Sequence, residues 1–185
     1  MRHQSSLYTG EFKKDKKNGH GKKISQGKKA EKNWTYEGQW ENDNKNGFGT
    51  EILKSDRIYR GEWINNQRHG FGTEVDLKGN SYEGYWHFDM KHGKGRQMMA
   101  NYDQYEGMFN SNKKEGYGEY LFNIGCIFKG NWKNDMFEGK GEFIDPNNYR
   151  YEGNFDKGRK HGYGILIYAN GDEYRGEFRN DEKCG

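Results

Sequence analysis

The sequence predicts an all-β protein built as a stack of β-hairpins. Three observations predict it. Aromatic residues recur every 23 positions from Tyr36 onward, glycines hold fixed places between them, and few other apolar residues are present to form a core. The stretch YEGQWENDNKNGFGT at 36–50 returns as YRGEWINNQRHGFGT at 59–73. Self-similarity at a fixed period marks a repeat architecture, in which each unit buries its apolar face against the next.

The copies start at Tyr8, Tyr36, Tyr59, Tyr82, Tyr105, Phe128, Tyr151 and Tyr174, and the last is partial. The first step is 28 residues, and its five extra residues fall in QGKKAEKN, Gln26 to Asn33, as an enlarged loop. With the opening aromatic as offset 0, offset 2 is always glycine and offset 4 always Phe or Trp, as in Gly38 and Trp40. That period of two puts all three on one face of a β-strand. Offset 7 is Asp, Asn or Gly in every copy, from Asp15 to Asp181. These residues tolerate tight-turn dihedrals, so the turn belongs here. Offsets 11 and 13 are glycine, as in Gly47 and Gly49, and offset 16 is aliphatic or Met, and together they form the return strand. With offsets 7 and 8 at the centre of the turn, offset 4 faces 11 and offset 2 faces 13, so each Trp or Phe covers a glycine. Gly79, Gly125 and Gly171 mark a second turn that joins the units.

Composition supports a folded chain with a core of rings. Only 30% of the 185 residues are hydrophobic and 32% are charged, a balance that often leaves a chain disordered. Phe, Trp and Tyr make up 16%, however, and each ring buries a large area at modest entropy cost. No apolar run approaches the roughly 18 residues that span a bilayer, the longest being ILIYA, Ile165 to Ala169. The N-terminus lacks the apolar centre of a secretory signal. Cys126 and Cys184 make neither a disulfide framework nor a metal-site spacing, so an intracellular, reduced protein is expected. Net charge is +3, but residues 1–33 carry ten Lys or Arg against three acidic residues. The remainder carries 21 against 25.

The phrases YEGQW…NGFG, YRGEW…HGFG, YEGYW…HGKG and YEGNF…HGYG resemble the MORN (membrane occupation and recognition nexus) repeat, from Tyr8 to the end. The resemblance implies an elongated, twisted, single-layer antiparallel sheet of stacked hairpins, an open solenoid-like array running through 1–185 as one domain, with one grooved face. It also implies an interaction module of cytoskeletal, ciliary or membrane-contact proteins, or a domain attached to an enzyme. The first copy departs from the pattern by its insertion. The eighth stops mid-hairpin, as expected where a parent protein continues past Gly185.

No nucleophile elbow, phosphate loop or HExxH occurs, and the GxG pairs obey the repeat register, so no catalytic residue, cofactor or metal is expected. His69, His92 and His161 share offset 10 and read as polar residues near a turn rather than a zinc set. The ring stripe is chiefly core. A one-layer sheet cannot sandwich its rings, so some should stay partly exposed along a groove that suits a partner helix. The candidate groove residues are Tyr36, Trp40, Tyr59, Trp63, Tyr82, Trp86, Tyr105, Phe109 and Trp132. Lys13, Lys14, Lys16, Lys17, Lys22, Lys23, Lys28 and Lys29 are either a solvated face or a site for an anionic membrane surface. Nucleic acid is not expected, because the rest of the chain is net acidic. Phe178, with no following unit to cover it, is the candidate contact for a homodimer through the C-terminal end. A non-enzymatic scaffold in a cytoskeletal or ciliary assembly is the leading expectation. A phospholipid-binding module and the targeting domain of a larger enzyme are the alternatives.

Overall fold

The computed structural model describes residues 5–26, 33–53 and 57–184. Lys28, Lys29 and most of the expected enlarged loop lie outside the described residues. Sixteen strands form one antiparallel sheet whose order follows the chain, and the described residues contain no helix. The strands are β1 (Ser5–Lys13), β2 (Lys16–Gln26), β3 (Trp34–Glu41), β4 (Asn44–Leu53), β5 (Ile58–Ile64), β6 (Gln67–Val75), β7 (Ser81–His87) and β8 (Met90–Met98). They continue as β9 (Gln104–Asn110), β10 (Lys113–Leu121), β11 (Ile127–Lys133), β12 (Met136–Ile144), β13 (Arg150–Asp156), β14 (Arg159–Ile167), β15 (Glu173–Arg179) and β16 (Glu182–Cys184). The chain divides into two compact units, Met1–Lys91 and His92–Gly185.

In the first unit the hairpin turn sits one position earlier than expected. Asn42 and Asp43 both have positive φ, 47° and 72°, as do Asn65 and Asn66 at 49° and 69°. Two successive left-handed residues make the type I′ turn whose twist matches paired strands. Offsets 6 and 7 are therefore central. Trp40 pairs with Lys45 rather than Gly47, a bulge follows, and the register recovers so that Gly38 faces Gly49 as expected. Gly47 faces Trp63 of the next copy instead. The left-handed Gly47, with φ of 85°, is what absorbs the extra residue.

The second unit repeats this geometry. Asn134 and Asp135 have φ of 51° and 69°, Trp132 pairs with Phe137, and Gly130 pairs with Gly141. Gly125 and Gly171 occupy the joining turns in the left-handed region, at 89° and 90°, as expected.

Offset 7 does more than turn the chain. The Asp43 N–H donates to the Lys17 carbonyl at 3.0 Å, and the Lys17 N–H donates back to Asp43 Oδ1 at 3.0 Å. The same reciprocal pair joins Asn66 to Lys45 and Asp89 to Arg68. In the second unit it joins Asp135 to Lys114 and Asp181 to Lys160. Five hairpins are thus clipped to the one before by a side chain that also tolerates the turn, whereas Gly158 keeps only the backbone bond, to the Phe137 carbonyl.

Candidate functional site

The opening ring of a copy, a tyrosine except for Phe128, lies across the paired glycines of its own hairpin. A Cβ on Gly49 would come within 2.3 Å of the Tyr36 hydroxyl oxygen, and one on Gly38 within 2.4 Å of the Gly49 Cα. The covering ring is therefore the offset-0 tyrosine, not the offset-4 tryptophan. Its hydroxyl donates to the carbonyl three residues on, as Tyr36 does to Gln39 at 2.9 Å. The tryptophan leans the other way. Trp63 Nε1 donates to the Gly49 carbonyl of the preceding copy at 3.2 Å, and its ring meets Tyr59 and Tyr36 edge-on at 5.1 and 5.4 Å between centroids. In the second unit Trp132 meets Phe128 and Tyr105 in the same way, at 5.5 and 5.1 Å. Edge-to-face pairs of this kind add about 0.5–1.5 kcal/mol beyond area burial.

What covers this single layer of rings is a row of cations at offset 9, which sequence reasoning missed. Lys17, Lys45, Arg68, Lys91, Lys114, Lys160 and Lys183 hold that place in seven copies, and Phe137 holds it in the sixth. Lys45 Nζ stands 4.8 Å from the Trp34 ring, 5.1 Å from Tyr36 and 4.4 Å from Trp63, and it pairs with Glu51. The Arg68 guanidinium lies 4.3 Å above Trp86 and pairs with Glu74 and Asp89. Long stems with charged tips act here as a second layer. The signal was legible as a 23-residue recurrence of Lys or Arg in a chain rich in both.

The nine residues expected to stand partly exposed in a partner groove are buried instead. Tyr36, Trp40, Tyr59, Trp63, Tyr82, Trp86, Tyr105, Phe109 and Trp132 are 0–4% exposed. The cations and the neighbouring rings close over them. Burial pushes the phenols of Tyr36, Tyr59, Tyr82 and Tyr105 well above the usual tyrosine range, and that of Tyr151 up to about 12. Phe178 is also covered, at 3% exposed. Offset-4 rings pack on the preceding tyrosine, here Tyr151 at 5.0 Å, so Phe178 needs no following unit. The homodimer expected through it loses its exposed ring.

The basic set is not brought together as one free surface. Lys17 is held by Asp43 at 2.6 Å, which keeps the Asp43 carboxyl below the usual range, and Lys22 pairs with Glu37 at 3.1 Å. Lys23 lies over Trp34, and burial pushes its ammonium pKa down, with Lys17 and Lys45 adding to the effect. Lys13, Lys14 and Lys16 are exposed. His69 packs beside His87 and Phe88, at 5.2 and 4.9 Å. Among the described residues no three His, Cys, Asp or Glu side chains are grouped to hold a metal, and no helix is long and apolar enough to cross a membrane. Cys126 is a buried free thiol and Cys184 an exposed one.

The opposite face is open. In the second unit a cleft of ≈ 630 Å³ is floored by Gly107 and Gly118 and walled by Lys94, Arg96, Met108 and Tyr117. A second of ≈ 490 Å³ lies between Tyr117 and Tyr163 over Gly130, Gly141, Gly153 and Gly164. Tyr117 and Tyr163 are 63% and 59% exposed. In the first unit a like cleft of ≈ 630 Å³ runs past His20, Gln39, Phe48 and Arg60. The exposed rings come from offset 12, which is aromatic in four copies: Phe48, Phe71, Tyr117 and Tyr163. Expectation followed the invariant rings, and these variable ones escaped it.

A hairpin stack with a buried ring layer on one face and an open glycine-floored face on the other defines a repeat protein of the binding-module class. The MORN repeat model matches at 8–27, 36–55, 59–81, 82–104, 105–127, 128–148, 151–173 and 174–185, and the chain belongs to that family. No curated protein matches it in sequence. Among solved structures it is similar to the TCP domain of SAS-4 (dCPAP) of Drosophila melanogaster, solved in complex with a proline-rich motif of Ana2 (dSTIL). The identity is 12%, the likeness covers 95% of this chain and 90% of that one, and the TM-score is 0.50. At that identity the likeness is one of fold.

Proposed function

We propose that the chain is a non-catalytic scaffold that docks an extended, proline-rich segment of a protein partner in its glycine-floored clefts, within a cytoskeletal or ciliary assembly. The observation that carries this reading is the pair of exposed rings, Tyr117 and Tyr163, beside floors that have no side chains. Proline-rich segments dock in aromatic-lined grooves because their backbone is preformed and little entropy is lost. Lys94, Arg96 and Asn131 supply donors to carbonyls that such a segment leaves unpaired. The complex of the SAS-4 TCP domain with a proline-rich motif supports the choice by analogy of fold. The assembly rests on the family's usual company. Fluorescence anisotropy of a labelled proline-rich peptide, against a Gly/Ser control of equal length, tests it. Tyr117→Ala should weaken binding about tenfold with an unchanged melting curve, since the ring packs on nothing essential. Equal binding of both peptides, or no loss in Tyr117→Ala, refutes the reading.

One observation favours a second reading, a membrane contact at the first hairpin. Phe12 and Leu7 are 62% and 64% exposed, among exposed Lys13, Lys14 and Lys16. Lysines near an anionic leaflet contribute about 1 kcal/mol each and are screened by salt. Sedimentation with phosphatidylserine vesicles tests it. Binding that survives charge reversal of all three lysines excludes this patch.

A further inference from the structure

The cover over the buried rings changes character along the chain. In the second and third copies the offset-9 cation is followed at offset 15 by a carboxylate, and the two form the Lys45–Glu51 and Arg68–Glu74 salt bridges. In the fifth, sixth and seventh copies offset 15 holds Tyr120, Phe143 and Leu166. The sixth copy also has Phe137 in place of the cation. Within 92–185 apolar groups therefore replace part of the charged roof, beside the cations Lys114, Lys160 and Lys183. Phe137 stacks on Phe128 at 3.8 Å, and Phe122 lies 6.5 Å from Phe137 and 6.2 Å from Phe143. Tyr120, Phe122, Phe137 and Phe143 are half-buried, so each leaves part of its ring to solvent.

Lys114 and Lys160 flank this patch, and neither forms an ion pair among the described residues. The Lys114 ammonium lies 4.8 Å from the Tyr120 ring and 5.1 Å from Trp132. Lys160 lies 4.8 Å from Tyr149 and donates to its hydroxyl at 2.6 Å. Asp135 and Asp103 act on the Lys114 charge through space, but the hydrogen bonds of the nearby carboxylates go to other groups. Asp103 accepts from the Tyr120 hydroxyl and the Asn123 N–H. Asp135 and Asp181 accept the backbone N–H groups of Lys114 and Lys160. The patch thus lacks the two carboxylates that the first unit provides for itself.

We infer that this patch docks an acidic amphipathic helix of a protein partner, with its apolar face on Tyr120, Phe122, Phe137 and Phe143 and its carboxylates on Lys114 and Lys160. β10 and β14 are four strands apart in order, roughly 19 Å at ~4.8 Å per strand. A helix laid across the strands rises ~1.5 Å per residue, so carboxylates about 13 residues apart reach both lysines. The sheet face offers side chains and no free backbone, which suits a helix rather than an added strand. A lipid leaflet suits it less, because both ammoniums are partly sunk among rings instead of projecting from them.

The test uses a fluorescein-labelled synthetic helix of about 18 residues. It carries leucines at i, i+3, i+4 and i+7 and flanking glutamates, and its twin carries lysines in their place. The acidic helix should bind the full chain and the lysine twin should not. Phe137→Lys restores the offset-9 pattern of the other seven copies, so it should fold normally and weaken binding about tenfold. Lys160→Glu should weaken it similarly, and Phe122→Ser provides a second apolar lesion should Phe137→Lys melt early. Tyr117→Ala, on the opposite face, should leave this binding intact, which separates the outcome from that of the proline-rich peptide. Equal binding of the lysine twin, or indifference to both Phe137→Lys and Phe122→Ser, overturns the inference. So does binding of phosphatidylserine vesicles through Lys114 and Lys160.

Discussion

Trp63→Ala tests whether the ring face is a true core. Trp63 is 2% exposed, touches Tyr36 and Tyr59 edge-on, lies 4.4 Å beneath the Lys45 ammonium and donates to the Gly49 carbonyl. Truncating a buried Trp costs about 3–5 kcal/mol. The upper half of that range is expected, because the change also leaves Gly49 without its donor and Lys45 without its closest ring. For a chain of this length each kcal/mol lowers Tm by about 2–4 °C, so the loss is about 8–20 °C. Trp63→Phe is the control. Phe occurs at offset 4 in Phe12, Phe109, Phe155 and Phe178, so it should cost only the hydrogen bond and some area, about 1–2 kcal/mol. Urea unfolding followed by tryptophan fluorescence gives the energies, and hydrogen exchange shows their reach. Neighbour coupling predicts lost protection in β3 to β6, since the ring's partners lie in both hairpins. A cost below 1 kcal/mol for Trp63→Ala, or equal costs for Ala and Phe, would refute the packing argument.

Gly49→Ala places a methyl where the Tyr36 ring lies, at distances real Cβ atoms do not show, and should cost about 1–3 kcal/mol or more in the same urea assay. Asp103→Asn disturbs the bonds to Tyr120 and Asn123 and should cost about 1–3 kcal/mol at neutral pH. Burial works to raise the Asp103 pKa, but the Asn123 N–H, the Tyr120 hydroxyl and Asn101 hold it below the usual range. Its contribution is then complete above the unfolded value, about 3.9, and fades as pH falls through the lower folded one, so the two proteins should converge in strong acid. The tyrosines carry the opposite sign. Their folded pKa values are raised, so their contribution is complete below about 10 and is lost as pH rises toward the folded values, Tyr151 first at about 12. Absorbance at the phenolate band and circular dichroism should therefore change together in alkali, and ionisation of most tyrosines in a still-folded sheet would contradict their burial.

The hairpin stack was legible because its signals are strictly periodic, and a period of two within a period of 23 leaves few alternatives to paired strands. The exact turn was not, because only offset 7 is confined to Asp, Asn or Gly while offset 6 ranges over Asn, Lys, Ser and Phe, and the choice rests on a bulge at offset 11 that spacing alone does not reveal. The open clefts were missed for a related reason. They are walled by offset 12, which alternates between rings and the charged or polar His20, Lys94 and Lys140, and no repeat invariant points to it.

The misjudged ring exposure has one physical origin. The sequence fixes which residues share a face but not the direction in which an offset-4 ring leans. The structure shows that it leans toward the preceding copy, where a tyrosine edge and a glycine carbonyl wait for it. That polarity makes the two ends unlike. Phe178 finds Tyr151 and is buried, whereas Phe12, which meets Tyr8 of its own copy at 5.0 Å, is 62% exposed. The same lean explains why a cation at offset 9 sits over rings of two copies at once: Lys45 meets Tyr36 of its own hairpin and Trp63 of the next. Each cation therefore couples neighbouring units as well as shielding them. Replacing it with Phe137 keeps the coupling, through the stack on Phe128 and the edge contact with Phe155 at 5.9 Å, and gives up the shielding. A repeat can thus acquire a binding surface by one substitution at a position whose structural duty either side chain can perform.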